Sequence, residues 1–181
     1  MSSAPVHSVH IYDEHASLIK RLCGVVSSGL KVGNSVLIVA TAMHRDQLVK
    51  ELLDAGVNVP QHAREGRFSM YDAEDTLATF MLNARPDRTL FMQSVGNLLN
   101  QAKQKARSKD NGLTVFGEMV AVLWEQGNKQ GALELEALWN EALNSSAFHL
   151  HCAYPSWNFR DIADEAAIAE VCNIHSHVLV H

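Results

Sequence analysis

His149-x-His151-Cys152 puts two imidazoles and a thiol into four consecutive positions, and these are donor types that suit zinc. The alternation Phe148-His-Leu-His-Cys152 reads as a strand. In a strand His149 and His151 share one face, while Phe148, Leu150 and Cys152 share the other. Cys152 therefore points away from both histidines, which counts against a metal; no second ligand pair at metal spacing occurs nearby, although His7-x-x-His10 or His175-x-His177 could meet the motif in space. Spacing alone assigns no metal. Cys152 beside His10 or His151 could also serve as a nucleophile with a base. However, no Gly-x-Ser-x-Gly elbow occurs, and neither Ser27-Ser28 nor Ser145-Ser146 has the glycines of one.

The second chemically informative stretch is Tyr12-Asp13-Glu14-His15-Ala16. In a nucleotide-hydrolysing α/β domain the turn from the first strand into the first helix is a phosphate loop. That loop needs glycines for close backbone approach, a lysine for the phosphates and a Ser or Thr for magnesium. Here no glycine occurs between Met1 and Arg21, and two acidic residues stand at the turn. Polyphosphate binding at this place is not expected, and no cofactor is expected.

The elements that must position these residues follow from periodicity. His7 to Tyr12 reads as a first strand and Ser35 to Ala40 as a second. The second is short and apolar throughout, as in a parallel sheet covered on both faces. Ile19, Leu22, Cys23, Val26 and Leu30 mark the helix between them, which ends at the Gly29–Gly33 stretch. A further helix carries Leu48 to Leu53 and stops at Gly56, a C′ glycine. Val57 to Pro60 reads as extended, and Arg67 to Tyr71 as a third strand. Leu77, Phe80 and Met81 mark a helix ending before Pro86, and Phe91 to Ala106 a longer one. Leu113 to Phe116 gives a fourth strand, and Val120 to Asn144 is helical with breaks near Gly127 and Gly131. Within that helical stretch Glu134, Glu136 and Glu141 read as a solvated acidic face. Strand 148–152 closes the sheet, and a last helix uses Ile162, Ala166, Ala169 and Cys172. The tail His175 to His181 has no clear partner.

Strands alternating with amphipathic helices predict an α/β fold, a three-layer sandwich with a mainly parallel central sheet. Residues 1–181 read as a single domain. With 47% hydrophobic and 19% charged residues the chain is globular rather than disordered. Its net charge of −5 leaves no electrostatic footprint for direct nucleic-acid binding. No apolar run is long enough to span a bilayer, and no secretory leader pattern opens the sequence. Cys23, Cys152 and Cys172 are odd in number and far apart, which suits reduced thiols and predicts a cytoplasmic protein.

Open α/β sheets bind ligands beyond the carboxyl ends of their strands. Those ends carry His10 and Tyr12, Thr41 and His44, Tyr71, Glu118, and finally Cys152 and Tyr154. The set is aromatic, imidazole-bearing and carboxylate-bearing with few cations, and it suits a small neutral or weakly polar molecule.

Taken in order, several segments resemble one known family. They are His7-Ser-Val-His-Ile-Tyr12, Gly29-Leu-Lys-Val-Gly33 with the following Asn-Ser-Val-Leu-Ile-Val-Ala40, Gly66-Arg-Phe, Gly117-Glu118-Met119, Glu136-Ala-Leu-Trp139 and His151-Cys152-Ala-Tyr154. Together they resemble the MEDS domain, the methanogen/methylotroph DcmR-type sensory domain, over about residues 6–159. The C-terminal helix and tail at 160–181 lie beyond that core. The resemblance implies a degenerate relative of the KaiC branch of RecA-like ATPases, one that senses small hydrocarbon derivatives beside histidine kinases, response regulators and DNA-binding domains. His10, Tyr12, Glu118, Cys152 and Tyr154 match the family's motifs. At the positions where the clock ATPases carry a glutamate pair, this chain has Thr41 and Ala42.

The leading expectation is thus a non-catalytic sensory domain in bacterial or archaeal signal transduction. It would bind a small molecule and signal to a kinase, response regulator or transcription factor, without membrane contact, and it could form a homo-oligomer. Two alternatives stay open. One is a protein–protein docking module with an exposed apolar patch near Trp157 and Phe159 or along the last helix. The other is a cryptic metal-dependent hydrolase or ATPase.

Overall fold

The computed structural model describes residues 6–108, 112–159 and 165–180. A six-stranded, wholly parallel sheet forms its centre. The strands are β1 (Val6–Tyr12), β2 (Ser35–Ala40), β3 (Phe68–Asp72), β6 (Leu113–Gly117), β7 (His149–Pro155) and β8 (His177–Val180), in the order β3-β2-β6-β7-β1-β8. All six residues of β2 are buried, as an apolar strand between two helical layers should be.

Helices cover both faces. Helix α1 (His15–Lys31) and helix α2 (Ala42–Asp54) pack Leu18, Leu22, Val26, Leu48 and Leu52 on Val36, Ile38, Ala40, Phe116 and Ala153. Against the other face lie α4 (Ala73–Ala78), α5 (Arg88–Gln104), α6 (Met119–Glu125), α7 (Lys129–Ser145) and α8 (Glu165–Ile174). Phe80, Phe91 and Trp139 meet edge to face there at centroid distances of 5.2 Å, and each is fully buried. A buried aromatic trio of this kind contributes several kcal/mol through area alone.

The chain between α1 and β2 shows why the sequence stops helices where it does. Gly33 adopts φ +88°, its N–H donates to Leu30 O, and the Asn34 N–H donates to Gly29 O. That is a Schellman closure, which needs a left-handed residue, and Gly56 ends α2 the same way.

Four local expectations change. The extended reading of Val57–Pro60 gives way to helix α3 (Val59–Arg64), because Asn58 caps it by accepting from the Gln61 N–H at 3.1 Å. Pro60 costs nothing in that first turn, where its N–H would have no helical partner. The helix expected to run from Leu77 to Pro86 stops at Ala78. A two-strand hairpin follows, β4 (Met81–Leu82) and β5 (Arg85–Pro86), turning on Asn83 and Ala84 at positive φ. Gly127 separates α6 from α7, whereas Gly131 lies inside α7 and donates its N–H to the Asn128 cap. The tail is no loose end: β8 pairs in register with Ser8–Ile11 and makes β1 an interior strand. Ile162 lies outside the described residues.

Among the described residues no helix is long and apolar enough to cross a membrane.

Candidate functional site

The faces of β1 and β7 sort the candidate residues into two clusters. One gathers at the carboxyl ends of β1, β2 and β6, and the other is buried between the sheet and α7.

The first is built on a change of direction. After β2 the chain enters α2 on one face of the sheet, and after β6 it enters α6 on the other, so a crevice opens between these neighbouring strands. Glu118, the residue after β6, reaches across it. Its carboxylate accepts from the Thr41 N–H at 3.1 Å, from the Thr41 hydroxyl at 3.2 Å and from His44 Nδ1 at 2.7 Å. Thr41 is the N-cap of α2, so the charge also faces the positive end of that helix. Because a carboxylate only accepts, His44 Nδ1 carries the proton, and His44 Nε2 is left to meet His15 Nδ1 at 2.7 Å. The result is a relay Glu118–His44–His15. Glu118 and His44 are buried, while His15 is half-exposed.

Aromatic rings frame this relay. Tyr12 lies 5.7 Å from His15 and from Trp157, and Trp157 lies 5.3 Å from His15. Burial raises the Tyr12 phenol, with Glu118 and Glu125 adding to the effect, so it stays neutral at every ordinary pH. Only Asp13 and Glu14 connect β1 to α1, too short a link to cradle a polyphosphate. Beside His15 a groove of about 570 Å³ runs between α1 and α2, lined by Ala16, Ile19, Lys20, Gln47, Lys50 and Glu51.

The second cluster holds His7, Glu136, Cys152, Tyr154 and His175, all of them buried. Tyr154 donates its hydroxyl to Glu136 Oε1 at 2.9 Å. Glu136 Oε2 faces His7 Nε2 at 3.3 Å, His175 Nε2 at 3.4 Å and Cys152 Sγ at 3.8 Å. Burial works against the Glu136 anion, yet the histidine contacts outweigh it and hold the carboxyl down to about 2. Burial, and then the Glu136 charge, push the Cys152 thiol and the Tyr154 phenol well up. The four residues His7, Glu136, Cys152 and His175 converge closely enough to hold a metal ion, with their donor atoms within 4.8 Å of one another.

Of the residues singled out from sequence, Tyr12, Thr41, His44 and Glu118 come together, and the His10 ring lies tilted beside Tyr12 with centroids 6.1 Å apart. Tyr71 lies elsewhere, in a cleft of about 500 Å³ with Arg45, Asp72 and Ser94. Cys152 and Tyr154 belong to the second cluster. His151 is turned to the α1 side, where Ser8 Oγ meets its Nδ1 at 2.7 Å. Trp157 and Phe159 are half-buried rather than an exposed patch, Phe159 packing on Trp124 and Tyr154.

Glu136 needs a correction. It does not share a solvated face with Glu134 and Glu141, which pair with Arg85 and Arg88 at the surface. The signal was present in the sequence: Ala132, Leu135, Glu136, Trp139, Ala142 and Leu143 fall on one helical stripe, and that stripe is buried. Trp157 carried no comparable signal, because its ring neighbours Tyr12 and His15 come from β1 and α1, far away in sequence.

A family sequence model described as the methanogen/methylotroph, DcmR sensory domain (MEDS) matches residues 6–176. The chain belongs to the MEDS family. The match takes in α8 and His175, so both clusters lie within the sensory domain. Among solved structures the chain is similar to an uncharacterised protein of Pyrococcus horikoshii crystallised with an unknown peptide. The TM-score is 0.68 at 16% identity, over 96% of this chain and 76% of that one. That likeness is one of fold. No curated protein matches.

Proposed function

We propose that this MEDS domain senses a small, largely apolar molecule carrying one hydrogen-bonding group, and that it does so without turning it over. One observation carries the reading. The relay Glu118–His44–His15 ends in a half-exposed imidazole framed by Tyr12 and Trp157, at the strand ends where open α/β sheets take ligands. With its Nδ1 donating to His44, His15 keeps Nε2 as an acceptor for a ligand hydroxyl, and the rings supply apolar contact. Binding rather than reaction is favoured because the thiol and phenol of Cys152 and Tyr154 lie on the opposite face of the sheet. A simple hydrocarbon derivative such as a short alcohol fits this chemistry.

Ligand contact at His15 bears directly on the first turns of α1 and α2. The signal passes from there to a kinase, response regulator or transcription factor. Such a ligand acts only through its different affinity for two arrangements of those turns. Thermal-shift screening with millimolar short alcohols, haloalkanes and small acids tests the reading. Stabilisation of the wild type that disappears in a folded His15→Ala variant is expected, and a flat response across all three classes would sink it.

A second reading, a docking module, is favoured by the edge strand β8, where Val178 and Val180 are 40% and 68% exposed. It predicts a captured partner whose retention ignores His15→Ala.

A further inference from the structure

We propose that His7 Nε2, Glu136 Oε2, Cys152 Sγ and His175 Nε2 form a closed, four-ligand zinc site that ties the C-terminal segment to the sheet. Geometry supports this first. Tetrahedral zinc with bonds of about 2.0–2.1 Å to N or O and about 2.3 Å to S requires N···O edges of roughly 3.3–3.4 Å and N···S edges of roughly 3.5–3.6 Å. The corresponding separations are 3.3 Å for His7–Glu136, 3.4 Å for His175–Glu136 and 3.5 Å for His7–Cys152. The Cys152–Glu136 edge is slightly longer, at 3.8 Å.

The surrounding hydrogen bonds aim the donors inward. His175 Nδ1 donates to the Val171 carbonyl at 2.6 Å, and His7 Nδ1 to Asn140 Oδ1 at 2.9 Å. Each bond keeps a proton on Nδ1, so that once a metal displaces any proton from Nε2 its lone pair faces the centre, the arrangement that metal-ligating histidines share. His175 Nε2, fully buried, has no well-aligned hydrogen bond, only the 3.4 Å contact with Glu136 Oε2. Tyr154 occupies the other oxygen of Glu136, so only Oε2 is offered to a metal.

Charge balance points the same way. A buried thiolate and a buried carboxylate sum to two negative charges, which one divalent cation neutralises. Binding would expel the Cys152 thiol proton to solvent. The nitrogen, oxygen and sulfur donors favour zinc over magnesium or calcium, which take oxygen sets. Four protein ligands leave no open position, so the site is structural rather than catalytic. Its ligands come from β1, α7, β7 and the turn before β8, so one ion would pin β8 to the sheet edge. A surface cleft lined by His7, Asn140, Asn173, His175 and Ser176 gives the metal a way in.

The test uses the full chain, stripped of metal and titrated with cobalt(II) and zinc(II) against a competing chelator of micromolar affinity. One equivalent should bind, and cobalt should give intense tetrahedral d–d bands and a thiolate-to-metal charge-transfer band. Cys152→Ser should abolish the charge-transfer band. Tyr154→Phe, which only frees the second carboxylate oxygen, should weaken binding by ~10-fold or more while the protein stays folded. Cys23→Ser and His149→Gln should change nothing. Failure of the folded wild type to bind against the chelator would overturn the proposal. So would a charge-transfer band that survives Cys152→Ser or vanishes in Cys23→Ser.

Discussion

The two histidine–glutamate clusters use the same residue types and differ in where they let water in. Around Glu136 every group is buried, and the carboxylate is shared among His7, His175 and Tyr154. Around Glu118 burial is graded: the carboxylate and His44 are closed off, and His15 is half-open. A closed cluster can only hold the fold together or hold an ion. A graded one can carry an outside contact inward. On the proposed reading, the difference separates a structural centre from a sensing one within a single sheet.

The strongest challenge to this contrast is Glu136→Ala. It leaves the buried Tyr154 hydroxyl without its acceptor and opens a cavity between His7 and His175, and a loss of about 3–5 kcal/mol is expected on chemical denaturation. A loss under 1 kcal/mol would mean the cluster is not a structural centre. Next comes Glu118→Ala, which leaves the buried His44 Nδ1 and the Thr41 N–H without their acceptor. It should cost about 1–3 kcal/mol, less than Glu136→Ala, and should also erase any ligand-induced rise in Tm.

His15→Ala sharpens the comparison from the other side. Its ring is half-exposed, so stability should fall by no more than about 1 kcal/mol while the response to ligand is lost. A large loss of stability with ligand binding intact would reverse the roles assigned to the two clusters.

The smallest effect is electrostatic. Burial, and then the Glu118 charge, raise the Glu125 carboxyl. An acid raised on folding costs stability when ionised, and that cost disappears once pH falls below its unfolded pKa. Glu125→Gln should therefore stabilise the domain at neutral pH by a few tenths of a kcal/mol, the scale of a solvent-screened charge, and the gain should fade in acid. A gain that grows on acidification would contradict the sign.

The layers and strands were legible because apolar periodicity is a local property. Val36 to Ala40 had to be a doubly covered strand, and Gly33 and Gly56 had to end helices. Tyr12, Thr41, His44 and Glu118 could be named in advance because each directly ends a strand or opens the helix after it, which is where α/β sheets place ligands. His15, which opens α1, stands under the same rule, whereas Trp157 joins them only because the strand order β2-β6-β7-β1 sets the turn after β7 beside β1.

By itself the sequence determined that this is a parallel α/β domain of the MEDS family whose first turn has no phosphate cradle. Local chemistry suffices for that: two acids and no glycine cannot wrap a polyphosphate, whatever surrounds them. Strand alternation already parted Cys152 from His149 and His151; tertiary structure alone decided that it meets His7 and His175, 145 residues away in the case of His7. A strand alternates its faces, so adjacent residues are parted and distant ones joined by the element that packs on each side.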